Sequence, residues 1–254
     1  MTQTSREALS GRVALVTGGS RGIGRATCLA LAEHGAAVAV HYHRQAQAAN
    51  EAVESIRHAG GHAIALQADV SDSAAIIALV EQASAQLGAI DILVNNAGEM
   101  TDSSVEAMTD EVWERALTVN LTSVFRCTRA CLPSMRTRGW GRIINVASQV
   151  IYTGSVNHAH YAAAKSGLQG LTFSLAKEVG AAGITVNLVS PGRIITDMIS
   201  DKIASRQQEW LAQTPLARLG RPEEVASAIA FLASEAASYI TGGNLNVNGG
   251  LVMG

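Results

Sequence analysis

The chain has 254 residues, a formal net charge of −2 and 48% hydrophobic residues. That length suits one large α/β domain, and the near-neutral charge excludes the basic face of a nucleic-acid or anionic-membrane binder. No run reaches the roughly 18 apolar residues of a membrane span, and the polar opening MTQTSREALSG lacks a signal peptide's apolar segment, so a cytoplasmic protein is expected. Cys28, Cys127 and Cys131 have no CxxC spacing and fit reduced thiols. Cys127 and Cys131 share one helix face and read as core. The histidines, His41, His43 and His58 among them, form no ligand cluster, so no metal is expected.

In chain order, RVALVT reads as a strand, followed by a glycine-rich turn and the helix ATCLALAEHG, closed by Gly35. AAVAVHY is a strand, AQAANEAVESIRHAGG a helix and HAIALQADV a third strand. The next helix puts Ile76, Val80, Ala83 and Leu87 on one face. IDILVNNAG is a fourth strand entering a loop, and one long helix is expected over Asp110 to Arg138. GRIINVAS, the helix carrying Tyr161 and GITVNLVSPG continue the alternation. Residues 193–219 interrupt it and are expected to form a mobile helical insert over the strand ends. Pro222 opens a late helix with Val225, Ile229 and Leu232 inward, and NLNVNGG is a last strand. This alternation predicts one α/β domain over 1–254, a Rossmann-type doubly wound parallel sheet of about seven strands with helices on both faces.

TGGSRGIG, Thr17 to Gly24, directly follows the first strand and opens the first helix. That is where glycines let a backbone approach a pyrophosphate, and where a helix N-terminus offers N–H groups and a positive dipole end. Gly18, Gly22 and Gly24 are spaced Gly-x-x-x-Gly-x-Gly rather than GxGxxG. An NAD site wants a carboxylate at the end of the second strand, about twenty residues on, for the ribose 2′-hydroxyl. Tyr42 holds that place, and Arg21 and Arg44 offer positive charge for a 2′-phosphate, so NADP(H) is expected, with NAD(H) as the alternative.

HYAAAKSG sets Tyr161 and Lys165 at i and i+4 in an alanine-rich helix, on one face. A phenol with a pKa near 10 is nearly all neutral at pH 7, and a neighbouring cation lowers a pKa by roughly 1–3. The pair therefore reads as an acid with its own pKa depressor.

With TGGSRGIG, NNAG at Asn95 to Gly98, YAAAK and PGRIITDM, Pro191 to Met198, the chain resembles the short-chain dehydrogenase/reductase family over nearly its whole length. The resemblance implies a catalytic tetrad of Asn120, Ser148, Tyr161 and Lys165. Tyr161 would be general acid in reduction and general base in oxidation, and Ser148 would bond the carbonyl oxygen. Lys165 would lower the tyrosine pKa and bond the nicotinamide ribose, and Asn120 would hold a water linking Lys165 to solvent. It also implies cofactor contacts from Ser20 and Ile23 in the glycine loop, from Val70 and from Asn96, Ala97 and Gly98. Pro191, Gly192, Ile194 and Thr196 would lie on the nicotinamide side. Asp69 matches the residue beside the adenine, and by itself reads equally as a turn cap.

The segment from GRIINVAS to PGRIITDM, with FLASEAASYITGGNLNVNGG, resembles the 3-oxoacyl-acyl-carrier-protein reductase branch. The expected activity is an NADPH-dependent carbonyl reductase, with 3-oxoacyl thioesters among its candidate substrates. An alcohol or sugar dehydrogenase working oxidatively and a non-catalytic dinucleotide sensor are the alternatives. Members of that branch carry basic residues at the end of the Tyr/Lys helix to meet an acidic carrier. Here that end reads EVGAAG, which leaves acyl carrier protein open as a partner unless Arg136, Arg138 and Arg142 compensate. QVIY after Ser148, with Ile194, Ile195 and Met198, suggests a largely apolar pocket. The resemblance further implies a homotetramer.

Overall fold

The computed structural model describes residues 8–253, so most of the polar N-terminal stretch lies outside the described residues. The strands are β1 (Val13–Val16), β2 (Ala37–Tyr42), β3 (Ala63–Gln67), β4 (Ile92–Asn95), β5 (Gly141–Val146), β6 (Ile184–Pro191) and β7 (Asn244–Val247). They form one seven-stranded parallel sheet in the order β3-β2-β1-β4-β5-β6-β7. Chain direction across the sheet reverses between β1 and β4, which opens a crevice at their carboxyl ends where ligands of such sheets bind.

Both faces of the sheet are covered, which is why the central strands are almost wholly apolar. Alternate residues supply two cores. Ala14, Val16, Ile92 and Val94 pack under α1 (Gly22–Glu33), α2 (Ala46–His58) and α9 (Pro222–Ala233). Val13, Leu15, Leu93 and Ile143 pack under α3 (Ser73–Leu87), α5 (Ser123–Arg138) and α7 (Ala159–Val179). Cys28, Cys127 and Cys131 are buried free thiols in these cores.

The single helix expected over Asp110 to Arg138 is in fact interrupted. α4 (Asp110–Leu117) passes through a π-helical turn, Thr118–Thr122, into α5. The widened turn carries Asn120, whose Nδ2 donates to Ala116 O and Glu99 O, both at 3.0 Å. The next residue, Leu121, fills a notch at Gly167 of α7, where an added Cβ would meet Leu121 Cδ2 at 2.7 Å. Residues 193–219 form mainly α8 (Asp197–Ala212), anchored by buried Trp210, over the carboxyl ends of the strands. A four-residue helix, α6 (Val150–Thr153), precedes α7.

At the opposite end of the sheet, Asp91 is buried and its Oδ2 accepts the Val13 N–H at 3.0 Å. Arg138 and Arg12 approach its other oxygen at 3.2 and 3.6 Å. Removing the carboxylate leaves a buried N–H unpaired, so Asp91→Ala should lose about 1–3 kcal/mol of stability in equilibrium urea unfolding, against little change for a surface control such as Glu81→Ala.

Candidate active site

The crevice is built by hydrogen bonds that gather three strand ends. Thr17 Oγ1, just past β1, accepts the N–H groups of Asn96 and Ala97 at 2.9 and 3.0 Å. Asn96 Nδ2 donates to Thr17 O and Gly18 O at 2.9 and 3.1 Å, which locks the NNAG loop against the glycine loop. The approach is so close that a Cβ on Gly24 would sit 2.0 Å from Gly18 O. Glycine is required there before any ligand is considered.

His41, weighed from sequence only as a metal ligand, completes this scaffold. Its Nδ1 accepts the Gly18 N–H at 2.9 Å, and its Nε2 lies 3.0 Å from Ala68 O as a donor. A protonated ring would aim two N–H groups at each other, and burial pushes its pKa down to about 4. The ring is a neutral strut between the glycine loop and β3, a role a sequence pattern does not signal.

A groove of about 700 Å³ follows the crevice. It is lined from the glycine loop by Gly18, Ser20, Arg21, Gly22, Ile23 and Gly24. Tyr42 and Arg44 line it from the end of β2, Asp69 and Val70 from β3, and Asn96, Ala97 and Gly98 from β4, with Thr196 across from them. A glycine cradle at a helix N-terminus beside this groove fits a dinucleotide. Arg21, expected at a 2′-phosphate, lines the groove and meets Asp197 of α8 at 3.2 Å across an exposed pair. Asp69 does both things its sequence allowed. It lines the groove, and its Oδ1 accepts Ser71 N and Ser71 Oγ at 2.8 and 2.7 Å. Burial raises its pKa, but those two bonds outweigh burial and hold the carboxyl below its ordinary value.

A second cavity, about 800 Å³, lies between β5, α7 and α8 and contains Ser148, Tyr161 and Lys165. Pro191, Gly192 and Ile194 line it, and it shares Ile23, Asn96, Gly98, Thr196 and Met198 with the groove. Lys165 Nζ is buried and donates to Val146 O at 2.8 Å, 5.8 Å from the centre of the Tyr161 ring. Burial pushes its pKa down to about 8. Tyr161 is pushed up to about 12, because burial outweighs a hydrogen bond with Ser148. The expected depression of the phenol by Lys165 is therefore not met by the protein's own groups. The same burial that isolates the pair disfavours tyrosinate and ammonium alike.

Asn120 lines neither cavity. It is fully buried, and its Oδ1 accepts the Glu99 N–H at 3.2 Å. A Cβ on Gly98 would meet this oxygen at 2.8 Å and Lys165 Nζ at 3.6 Å, so only Gly98 separates the amide from the ammonium. The substrate wall also differs from expectation. Ile194, Met198 and Val150 line the cavity, but Tyr152 and Ile195 are exposed elsewhere. Polar Gln149, Thr153, Ser155 and His158 share that wall. A strand-to-helix loop gives no periodic signal of which side chains turn inward.

The family model described as enoyl-(acyl carrier protein) reductase matches residues 18–252. A 3-oxoacyl-[acyl-carrier-protein] reductase of Synechocystis is 46% identical over 97% of this chain and 99% of its own length. The chain belongs to the short-chain dehydrogenase/reductase family. Another such reductase, from Salmonella typhimurium, is 45% identical over 96% of this chain and 98% of its own. Among solved structures, a short-chain dehydrogenase/reductase variant of Serratia marcescens superposes with a TM-score of 0.91 at 40% identity, covering 96% of this chain and 99% of that one. A Beutenbergia cavernae protein, described as a candidate NAD(P)-dependent gluconate 5-dehydrogenase with bound NADP, gives 0.91 at 36% identity, covering 97% and 98%. This short-chain dehydrogenase/reductase is thus an oxidoreductase with a Rossmann-type sheet. Among its described residues no helix is long and apolar enough to cross a membrane.

The buried lysine sets a pH signature. Between pH 8 and 10.5 the folded lysine is neutral while the unfolded one is protonated, so the unfolded state binds more protons and stability rises with pH. Below pH 8 both states are protonated and that contribution is lost. From pH 8 to 10 the protein should gain about 2 kcal/mol of unfolding free energy relative to Lys165→Met, measured by denaturant titration at each pH.

Proposed function

We propose that the chain is an NADP(H)-dependent carbonyl reductase. The observation that carries this reading is that Ser148, Tyr161 and a buried lysine share one cavity, which opens into the glycine-lined groove through five shared residues. Bound in that groove, the nicotinamide supplies the hydride. Ser148 Oγ donates to the carbonyl oxygen as negative charge develops there. The Tyr161 hydroxyl delivers the proton. The hydroxyl is protonated at neutral pH, the form that a proton donor in carbonyl reduction needs. Lys165, poised near 8, would bond the ribose and return the proton to Tyr161, while Asn120, bonded to the backbone of Glu99 and Ala116, holds the floor beneath Gly98.

NADP(H) is favoured over NAD(H) because Tyr42 and Arg44 line the groove where an acid would face a 2′-hydroxyl. The NADP found with the Beutenbergia protein supports the same preference.

The named relatives act on acyl-carrier-protein thioesters, which keeps 3-oxoacyl thioesters among the candidate substrates. The arginines that could compensate for the uncharged end of α7 are engaged. Arg136 pairs with Glu178 at 2.9 Å, Arg138 with Asp91 at 3.2 Å, and Arg142 is buried. Reduction of carrier-free carbonyl compounds is the reading these contacts favour. The chain is read as a homotetramer, a reading that half-exposed Phe125 on α5 and Phe173 on α7 support as a pair of apolar faces. The chain is read as cytoplasmic.

Tyr161→Phe should keep NADPH affinity within about twofold by fluorescence titration and lose at least about 100-fold in turnover over a panel of ketones. Parental turnover by that variant would overturn the assignment. Arg44→Ala should weaken NADPH binding about tenfold while leaving NADH unchanged, a comparison isothermal titration reads directly.

A further inference from the structure

Gln149 directly follows the serine that would hold the reacting oxygen, so the two Cα atoms are about 3.8 Å apart. Its backbone is pinned on both sides. Its N–H donates to Pro191 O at 2.9 Å, and its carbonyl accepts from Tyr152 N and Thr153 N at 3.0 and 3.2 Å. Its side chain lines the substrate cavity, and its Oε1 is buried with no hydrogen-bond partner. A buried amide oxygen left unpaired is costly, and a leucine there would avoid the cost.

Most other polar side chains of that cavity face a hydrogen-bond or charge partner within the protein. Thr153 Oγ1 donates to Gly154 O at 2.8 Å. Ser155 Oγ and His158 Nδ1 are 2.9 Å apart, and His158 Nε2 faces Asp102 at 3.0 Å. Lys202 of α8 binds the same Asp102 at 2.7 Å, Arg206 pairs with Glu209 at 3.0 Å, and Arg193 donates to Trp210 O at 3.0 Å. These pairs argue against an anion-binding role for the lid cations. They leave the Gln149 oxygen as the acceptor whose partner must come from outside the protein.

We propose that Gln149 is a specificity-determining residue. Its carboxamide oxygen accepts a hydrogen bond from a hydroxyl on the carbon next to the reacting carbonyl, so the preferred substrates are small α-hydroxy ketones rather than hydrocarbon ketones. The assignment rests on Ser148 and Tyr161 holding the reacting oxygen. The terminal torsion of glutamine is soft, so the amide turns its oxygen to a donor arriving in the cavity. A hydroxyl is the matching group because it brings the donor that an ether, thioester or second carbonyl lacks.

The test compares 1-hydroxybutan-2-one with pentan-3-one, which differ by OH for CH3. With NADPH, the wild-type enzyme should favour the hydroxyketone by at least about tenfold in kcat/KM. Gln149→Leu should bring that ratio to about one while keeping pentan-3-one turnover within about threefold. Gln149→Glu, which keeps an acceptor, should retain the preference. The corresponding alcohols, butane-1,2-diol and pentan-3-ol, give the same comparison without turnover, by ligand-observed NMR on Tyr161→Phe with NADP+. An unchanged ratio in Gln149→Leu, no preference in the wild type, or equal or absent binding of the two alcohols overturns the assignment. Retained turnover in Tyr161→Phe would instead overturn the underlying reductase reading, whatever Gln149 does.

Discussion

A single buried ammonium organises the cleft. Lys165 reaches Val146 O at the end of β5, and that contact fixes where α7 crosses the strand ends and so where Tyr161 stands. An ammonium away from water is tolerated only while its surroundings hold still around it. Gly98 passes over it with no room for a side chain, and Asn120 closes the far side by bonding both the N–H and the carbonyl of Glu99. The result is a lysine that titrates within the range of ordinary biochemistry, beside a phenol that does not.

Much of this was legible in the sequence because it depends on local rules. Strand and helix periods, a glycine loop between them and a Tyr–Lys pair one turn apart survive without knowledge of tertiary contacts. The glycine spacing was informative because backbone crowding demands it: Gly24 lies against Gly18 whatever is bound. What was not legible depends on residues far apart in the chain. Arg21 meets Asp197 across 176 positions, and burial pushes the Tyr161 pKa up where the neighbouring lysine alone would lower it. Polarity along the QVIY loop was misread because half of that stretch faces away from the cavity. Tyr152 instead accepts a bond from Asn244 on β7 at 2.7 Å.

The arginines around α5 and β5 show how surface charge is spent on this chain. Two carrier-protein reductases are 45–46% identical over 96–97% of this chain. Among the arginines of α5 and β5, Arg136 pairs with Glu178 at the surface, Arg138 with Asp91, and Arg142 lies under the Trp140 ring, 4.2 Å from its centre, while Arg129 is exposed against Phe125.

The π-helical turn at Thr118–Thr122 has a geometric effect that reaches well beyond Asn120. An extra residue within one turn advances every later position by about 100° around the helix axis. Beyond the turn, Cys127, Cys131 and Met135 lie in the core, while Phe125 and Arg129 are stacked on each other outside it. Within the turn, Asn120 reaches under Gly98 and its neighbour Leu121 seats against Gly167. One irregular stretch therefore ties the rod both to the floor of the cleft and to the helix that carries Tyr161.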